Sequence, residues 1–263
     1  MKSLFIIGLF FLPLYLFAQT ELESGGIYDT VKVIDPLHSN SMQLSIYGHY
    51  TRDLRRIGNI VNGKREGSWR TYYQNGLLSS LQQFHEDILN GVFLIFEPGA
   101  QLAREDFYEN GILEGISHAF HGGVMTSIEP YKNGQLNGWR KIFVNGIISE
   151  EGNWKMGIRD SISRWYSVIG KVSIEYYYTN GTLNGSSISY YENGQVKSSG
   201  NFLNSYQNGY WKEFYASGKL SEEGDYSSGK KNGTWSFFSE EGILQKTEQY
   251  RNGDVVKKTR VKK

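Results

Sequence analysis

Short apolar and aromatic runs alternate with glycine-containing turns along most of this chain. The clearest copy spans residues 208–226, where a Trp and a Phe precede a Gly turn and a second apolar run. The same order of residues returns 24 residues later, beginning at Asn232. A fixed period of this length is typical of a repeat array, and its short runs predict strands rather than long helices.

Two independent markers define the period. The position that opens each unit recurs every 23 or 24 residues and is filled by Gly67, Gly91, Gly115, Gly138, Ser161, Gly185, Gly209 and Gly233. A second position keeps the same steps and is filled by Ile60, Phe84, Tyr108, Tyr131, Trp154, Tyr178, Phe202, Tyr226 and Tyr250. We therefore predict about eight clear units of 23–24 residues and one degenerate unit, together covering residues 43–254.

Asn-Gly dipeptides predict the structure inside each unit. The chain has 13 of them, and Asn-Gly favours a tight hairpin turn because both residues tolerate a positive φ. Each unit is therefore predicted to be a β-hairpin that packs on its neighbours along the array. The predicted fold class is all-β, an elongated single-layer antiparallel sheet of tandem β-hairpins.

Two sets of aromatic residues recur in phase with the units. We expect the first set to stack as a ladder; its members are Tyr72, Phe96, Phe120, Phe143, Tyr166, Tyr190, Phe214 and Phe238. The second, less complete set lies three positions earlier and consists of Trp69, Phe93, Trp211 and Trp235. Because side chains alternate along a strand, an odd offset places the two sets on opposite faces of the sheet.

The segments outside the array have their own signals. Residues 1–19 contain Lys2, a short apolar run and Ala18 before a cleavage point, which predicts a secretory signal peptide and a periplasmic or extracellular protein. No Cys follows the run, so a lipoprotein is not expected. Residues 20–42 are interpreted as an N-terminal leader and cap, and residues 255–263 as a basic C-terminal tail.

Composition narrows the classes of function. The net charge is +1, with 28 basic and 27 acidic residues interspersed along the chain, so no nucleic-acid partner is expected. The absence of Cys excludes disulfides and thiolate metal sites. No phosphate-binding loop or nucleophile elbow occurs, so we expect no cofactor and no enzymatic activity.

Two histidines in the irregular third unit are candidate binding residues. His118 and His121 are close in sequence, and a metal site there would need a third ligand such as Glu97 or Glu105. We expect no metal, because the polar surface of an irregular repeat accounts for these residues.

Paired acidic residues are the other candidate for chemistry. Glu150-Glu151 and Glu222-Glu223 recur three units apart in the same Ser-Glu-Glu-Gly setting, and Glu240-Glu241 is a third pair. A catalytic dyad is needed once, whereas a recurring pair is interpreted as a turn feature that aids solubility.

The recurring pattern N-G-x-W-x-x-Y-Y-x-N-G-x-L, closed by G-x-Y-x-x-G, resembles MORN repeats. It is most similar to the bacterial variant in proteins labelled YwqK-family antitoxins, over roughly residues 43–254. The resemblance implies a twisted sheet of hairpins that binds proteins or lipids rather than catalysing a reaction. The antitoxin label implies neutralisation of a partner toxin by direct contact.

These observations predict a non-enzymatic repeat scaffold that binds a protein partner in the cell envelope or outside the cell. Trp69, Trp211 and Trp235 are the candidate anchors, since Trp is enriched at interaction hot spots. An antitoxin or immunity protein is one alternative, and a glycan- or lipid-binding envelope protein is another.

Overall fold

The computed structural model describes residues 20–25 and 27–260, with side chains from residue 27 onward. Every regular element in this part of the chain is a strand, which confirms the all-β class. The first twelve strands are β1 (Thr20–Gly25), β2 (Tyr28–Ile34), β3 (Ser41–Gly48), β4 (Leu54–Val61), β5 (Lys64–Tyr72), β6 (Leu78–His85), β7 (Ile88–Phe96), β8 (Leu102–Glu109), β9 (Ile112–Leu113), β10 (Gly115–His121), β11 (Val124–Lys132) and β12 (Gln135–Leu136).

The remaining strands follow the same alternation of strand and tight turn. They are β13 (Gly138–Val144), β14 (Ile147–Lys155), β15 (Ile158–Tyr166), β16 (Val172–Thr179), β17 (Thr182–Tyr190), β18 (Val196–Leu203), β19 (Tyr206–Gln207), β20 (Gly209–Phe214), β21 (Leu220–Ser227), β22 (Lys230–Phe238), β23 (Leu244–Arg251) and β24 (Asp254–Arg260). The described residues contain no helix long and apolar enough to cross a membrane.

Two compact units divide the chain. Of the described residues, the first unit comprises those up to Thr126 together with Tyr131–Gly134, and the second comprises Ser127–Pro130 together with those from Gln135 onward. Within each unit, strands that follow one another pair antiparallel, as β5 does with β6 and β20 with β21. Each unit is therefore a meander of hairpins, as the period predicts.

The structure locates the predicted flanking segments as far as it describes them. Residues 1–19, the predicted signal peptide, lie outside the described residues. The leader at residues 20–42 contains β1, β2 and the start of β3, which pair in that order. Residues 255–260, assigned to a basic tail, lie in β24 and pair with β23. The functional boundaries of these segments stay predictions.

Asn-Gly pairs differ in their structural roles. Both residues have positive φ in the tight turns at Asn62, Asn110, Asn133, Asn145, Asn180 and Asn252, which is the two-residue hairpin geometry. In Asn208-Gly209 and Asn232-Gly233 only the Gly has positive φ, and both pairs lie at or within strands, at the unit-opening position. At both pairs the pairing register shifts, so the unit-opening residue marks a β-bulge rather than a turn.

The core of the second unit is a chain of edge-to-face aromatic rings. Centroid distances of 5.0–6.3 Å link Trp165, Tyr176, Phe202, Trp211, Tyr226, Trp235 and Tyr250 in that order. In the first unit Trp69 and Phe84 are buried and Phe93 contacts Tyr108. Apart from Trp165 and Tyr176, the stacking rings belong to the incomplete Trp set and to the second period marker.

The expected ladder of Tyr72, Phe214 and their counterparts is wrong as a ring stack. Tyr72 lies opposite Leu78, Phe214 opposite Leu220 and Phe238 opposite Leu244. An aliphatic side chain therefore separates successive aromatic residues on that face. The register shifts beside these pairs set this arrangement, and the repeat period alone does not reveal it.

Candidate interaction surface

The three Trp residues predicted as anchors are packing residues in the structure. Trp69, Trp211 and Trp235 are 4%, 4% and 0% exposed. The indole N–H groups of Trp69 and Trp235 donate to the backbone carbonyls of Asn59 and Asp225, at 3.1 and 3.0 Å. A side chain buried to this degree cannot contact a partner, so the exposed aromatic residues are the candidates instead.

In the second compact unit, the exposed rings lie on the face of the sheet opposite the stacked aromatic rings that include Trp211. Side chains alternate along β13 and β15, so Trp139 and Lys141 share one side, as do Ile162 and Arg164. Cross-strand pairing joins Lys141 to Glu151, Glu151 to Arg164 and Arg164 to Glu175 on that side. We call this side, defined by Trp139, Lys141, Glu151, Arg164 and Glu175, the network face.

Arg164 is the centre of the network face. Its Nη1 donates to Oε1 of Glu151 at 3.0 Å, and its Nε donates to Oε2 of Glu175 at 2.9 Å. Lys141 Nζ adds a longer ion pair to Glu151 at 3.9 Å. The charges alternate in sign across four neighbouring strands, so each acidic group has a basic neighbour. The guanidinium is thereby held in one orientation.

Two tyrosines complete the network. Tyr166 and Tyr190 donate their hydroxyls to Glu151 and Glu175, each at 2.7 Å. Burial and the adjacent carboxylate raise the pKa of each tyrosine to about 12. Burial also acts to raise the pKa of Glu151, but hydrogen bonds from Tyr166 and Arg164 outweigh it, and the pKa lies below its ordinary value.

The aromatic part of the face is more exposed. Trp139 and Tyr177 are each 41% exposed, and the Arg164 guanidinium lies 6.0 Å from the Trp139 ring centroid. Trp139 pairs with Asn153, and Ile162 pairs with Tyr177, so these residues form a row across four strands. With strands spaced by about 4.8 Å, the row from Trp139 to Tyr177 spans roughly 14 Å.

A shallow hollow of about 200 Å³ lies next to the network at the hairpin turns. Its walls include Val144, Ile147, Ile148 and Val168, together with the Tyr166 ring. Val144, Ile147 and Val168 are exposed although apolar. The network face thus combines an oriented guanidinium, accessible rings and an apolar border.

The candidate histidines, His118 and His121, lie in the first compact unit and form two separate ion pairs. His118 Nδ1 lies 3.0 Å from Glu105, and His121 Nδ1 lies 3.2 Å from Glu97. No three His, Cys, Asp or Glu side chains come together as a metal site among the described residues. The two histidines therefore do not share a carboxylate, and their binding role stays a prediction.

Two of the three acidic pairs lie in strands rather than in turns. Glu150-Glu151 is in the middle of β14 and Glu222-Glu223 is in β21, whereas Glu240-Glu241 alone occupies a turn. Glu150 pairs with Arg159 at 2.5 Å, and Glu222 pairs with Lys231 at 2.9 Å. The turn interpretation is therefore wrong for the first two pairs. Because the two acids of each pair are consecutive strand residues, their side chains lie on opposite faces of the sheet.

The glycine and aromatic markers that define the repeat do not reveal the network face, because its charged members lie at other positions of the unit. Lys141 and Arg164 occupy the same position in successive units, and Glu151 and Glu175 occupy the facing position of the next strand. A basic residue in one strand and an acidic residue facing it in the next strand, in two successive units, is the signal that could have identified it; the same pair recurs later as Lys212 and Glu223.

Comparison with known families supports the repeat assignment. Residues 183–204, 207–228 and 231–252 match the family model described as MORN repeat variant. The three matches are consecutive and each contains one hairpin unit of the second compact unit. No curated protein matches the chain. MORN repeats fit a repeat scaffold for interaction with proteins or membranes.

Proposed function

We propose that this protein is a non-enzymatic repeat scaffold that binds a protein partner through the network face. The observation that supports this most directly is the contact between exposed Trp139 and the fixed guanidinium of Arg164. Trp, Tyr and Arg are the residues enriched at protein-binding hot spots, and all three occur together on this face.

The network lowers the cost of binding. An Arg side chain that orders only on contact loses conformational entropy, about 0.5–1.5 kcal/mol for each immobilised side chain. Arg164 is already held between Glu151 and Glu175, so little of that cost remains. A partner that covers Trp139 therefore gains apolar burial without having to order the charges beneath it.

Export completes the proposal. The signal peptide predicted at residues 1–19 supports a location in the cell envelope or outside the cell. Separation of cytoplasmic, periplasmic and extracellular fractions tests this, and a full-length protein retained in the cytoplasm would contradict it.

An antitoxin role of the YwqK-family kind is a narrower form of the same proposal. The resemblance of the repeats supports it, and it requires one specific protein partner with toxic activity. Coexpression with neighbouring toxin genes tests it: rescue of growth by the native protein, lost in Trp139→Ala, is the expected result. Rescue by no gene pair would overturn the antitoxin role while leaving a scaffold role intact.

Glycan recognition is the alternative that a specific observation favours. Trp139 and Tyr177 are exposed rings in one row, and sugar rings stack on such platforms. Binding to isolated cell-wall glycan that persists at high salt and is lost in Trp139→Ala would favour this alternative over a protein partner.

The protein-binding proposal is tested by affinity capture from the native envelope. The bait is the mature protein, compared with Trp139→Ala and with Tyr50→Ala, which removes an exposed ring from a turn of the first unit. We expect one protein captured by the native bait and by Tyr50→Ala and lost with Trp139→Ala. Equal capture by all three baits would contradict the assigned surface.

A further inference from the structure

A second surface lies in the first compact unit, around Phe107. An open hollow of about 450 Å³ is lined by Phe107, Glu109, Glu114, Ile116 and His118. Phe107 is 43% exposed and Ile116 is 50% exposed, although both are apolar. We call this surface, defined by those five residues, the Phe107 hollow.

The local fold explains why these side chains face the same way. Glu105, Phe107 and Glu109 alternate along β8 and share one side of the strand. His118 of β10 lies opposite Glu105, which places Ile116 on that same side. Gly115, the first residue of β10, has φ of 80°, and an added Cβ there would lie 3.8 Å from the Phe107 Cβ.

The charges of the hollow have one sign. Its lining contains the carboxylates of Glu109 and Glu114 and contains no Lys or Arg. Glu105 lies at the border, where it pairs with His118 at 3.0 Å. One oxygen of Glu114 accepts the Asn133 backbone N–H at 2.7 Å. The hollow is thus an apolar floor with an acidic border.

Other aromatic rings in this protein are covered by the cationic side chains of Lys or Arg. Arg65 of the same chain lies 3.9 Å from the Phe84 ring centroid, and Lys246 lies 4.3 Å from the Phe237 ring centroid. Lys231 covers Trp235 in the same manner, at 3.8 Å. Within the described part of the chain, no cation lies over the Phe107 ring.

We propose that the Phe107 hollow binds a Lys or Arg side chain of a partner polypeptide. The cation would lie over the Phe107 ring and pair with Glu109, and a neighbouring apolar side chain of the partner would contact Ile116. Cation–π attraction and charge pairing act on the same group there, which selects basic segments over acidic ones. This site lies in the first unit and goes beyond the proposed role of the network face.

The test uses capped pentapeptides that alternate leucine with arginine, and matched peptides that alternate leucine with glutamate. They are titrated into the mature protein while the backbone amide signals of Phe107 and Ile116 are followed by NMR. We expect saturable shifts at these residues with the arginine peptide and none with the glutamate peptide. Absence of shifts at millimolar arginine peptide, or equal shifts with both peptides, would overturn the proposal.

Variants locate the site. Phe107→Ala should weaken binding of the arginine peptide by about threefold or more, the size of a cation–π contact. Glu109→Lys should abolish binding, and Ile112→Ala, which removes an exposed apolar side chain of the short strand β9, should leave it unchanged. All three side chains are exposed, so we expect each variant to fold. An unfolding temperature near that of the native protein checks this for each variant. Binding unaffected by Phe107→Ala would place the peptide elsewhere and contradict the proposal.

Discussion

Gly200 and Trp211 form one packing unit across neighbouring strands. The indole of Trp211 lies against the backbone of Gly200, where an added Cβ would overlap the ring. Gly58 with Trp69 and Gly224 with Trp235 repeat the arrangement. In two units where the Gly position is filled, the Trp position is small: Asp106 lies beside Ser117, which donates to it, and Tyr176 lies opposite Ser187. In the Gly–Trp pairs the ring occupies the space that a side chain at the Gly position would need.

Gly200→Ala should therefore destabilise the protein by about 1–3 kcal/mol, because the added methyl displaces a ring in a well-packed core. Gly99→Ala is the matched control, since nothing lies within 4 Å of its Cβ and its φ is not positive. Urea unfolding of both variants gives the comparison. Equal stability of the two would show that Trp211 does not pack on Gly200.

Two Trp residues should differ in what they contribute to stability. Trp235→Ala removes a fully buried ring from the aromatic chain and should cost about 3–5 kcal/mol. Trp139→Ala removes a ring that is 41% exposed and should change the free energy of unfolding by about 0.5 kcal/mol or less. Thermal unfolding measures both, and a large loss at Trp139 would assign it to the core rather than to an interaction surface.

Ser161→Gly should stabilise the protein. Ser161 occupies the bulge position with φ of 67°, where the other clear units have Gly. A non-Gly residue in this region costs roughly 1 kcal/mol, which the substitution relieves in part. Ser186→Gly is the control: it lies in β17 without positive φ and should lose about 0.5–1 kcal/mol through backbone entropy. A loss of stability at both sites would refute the strain assigned to Ser161.

Glu248 should make stability depend on acid pH. Hydrogen bonds from Tyr250 and Lys246, at 2.7 and 3.0 Å, lower the pKa of this carboxyl to about 2 from its ordinary 4.5. Because the folded-state pKa is depressed, the stabilisation is present above about pH 4.5 and is lost as the pH falls to about 2. The difference in unfolding free energy between the native protein and Glu248→Gln should shrink across this window. A difference independent of pH would show that these hydrogen bonds do not depress the pKa of Glu248.

The repeat period predicted the fold because turn chemistry is local. Asn110 and Gly111 both need positive φ, and that requirement can be recognised in two adjacent residues. The period also placed the Trp211 and Phe214 sets on opposite faces, since side-chain alternation follows from strand geometry. The family match to three consecutive units supports the same assignment.

The choice of buried face could not be predicted in the same way. Trp211 is buried because Gly200, eleven residues away, leaves room for its indole, and Phe214 is separated from other rings by Leu220. Both facts depend on cross-strand register, which the bulges shift. The exposure of Trp139 has the same origin: Arg140 fills the position that Trp occupies in other units, where it pairs with Glu129. Because position 140 is Arg rather than Trp, the Trp of this unit is at position 139, on the other face, where its ring is accessible.

Photo-crosslinking tests binding through the network face most directly. A photoreactive phenylalanine analogue is placed at Trp139, at Tyr177 or, as a control, at Tyr50, and cells producing each variant are irradiated. We expect positions 139 and 177 to crosslink to the same protein and position 50 to give no such crosslink. Crosslinks at position 50 alone, or none at positions 139 and 177, would contradict binding through the network face.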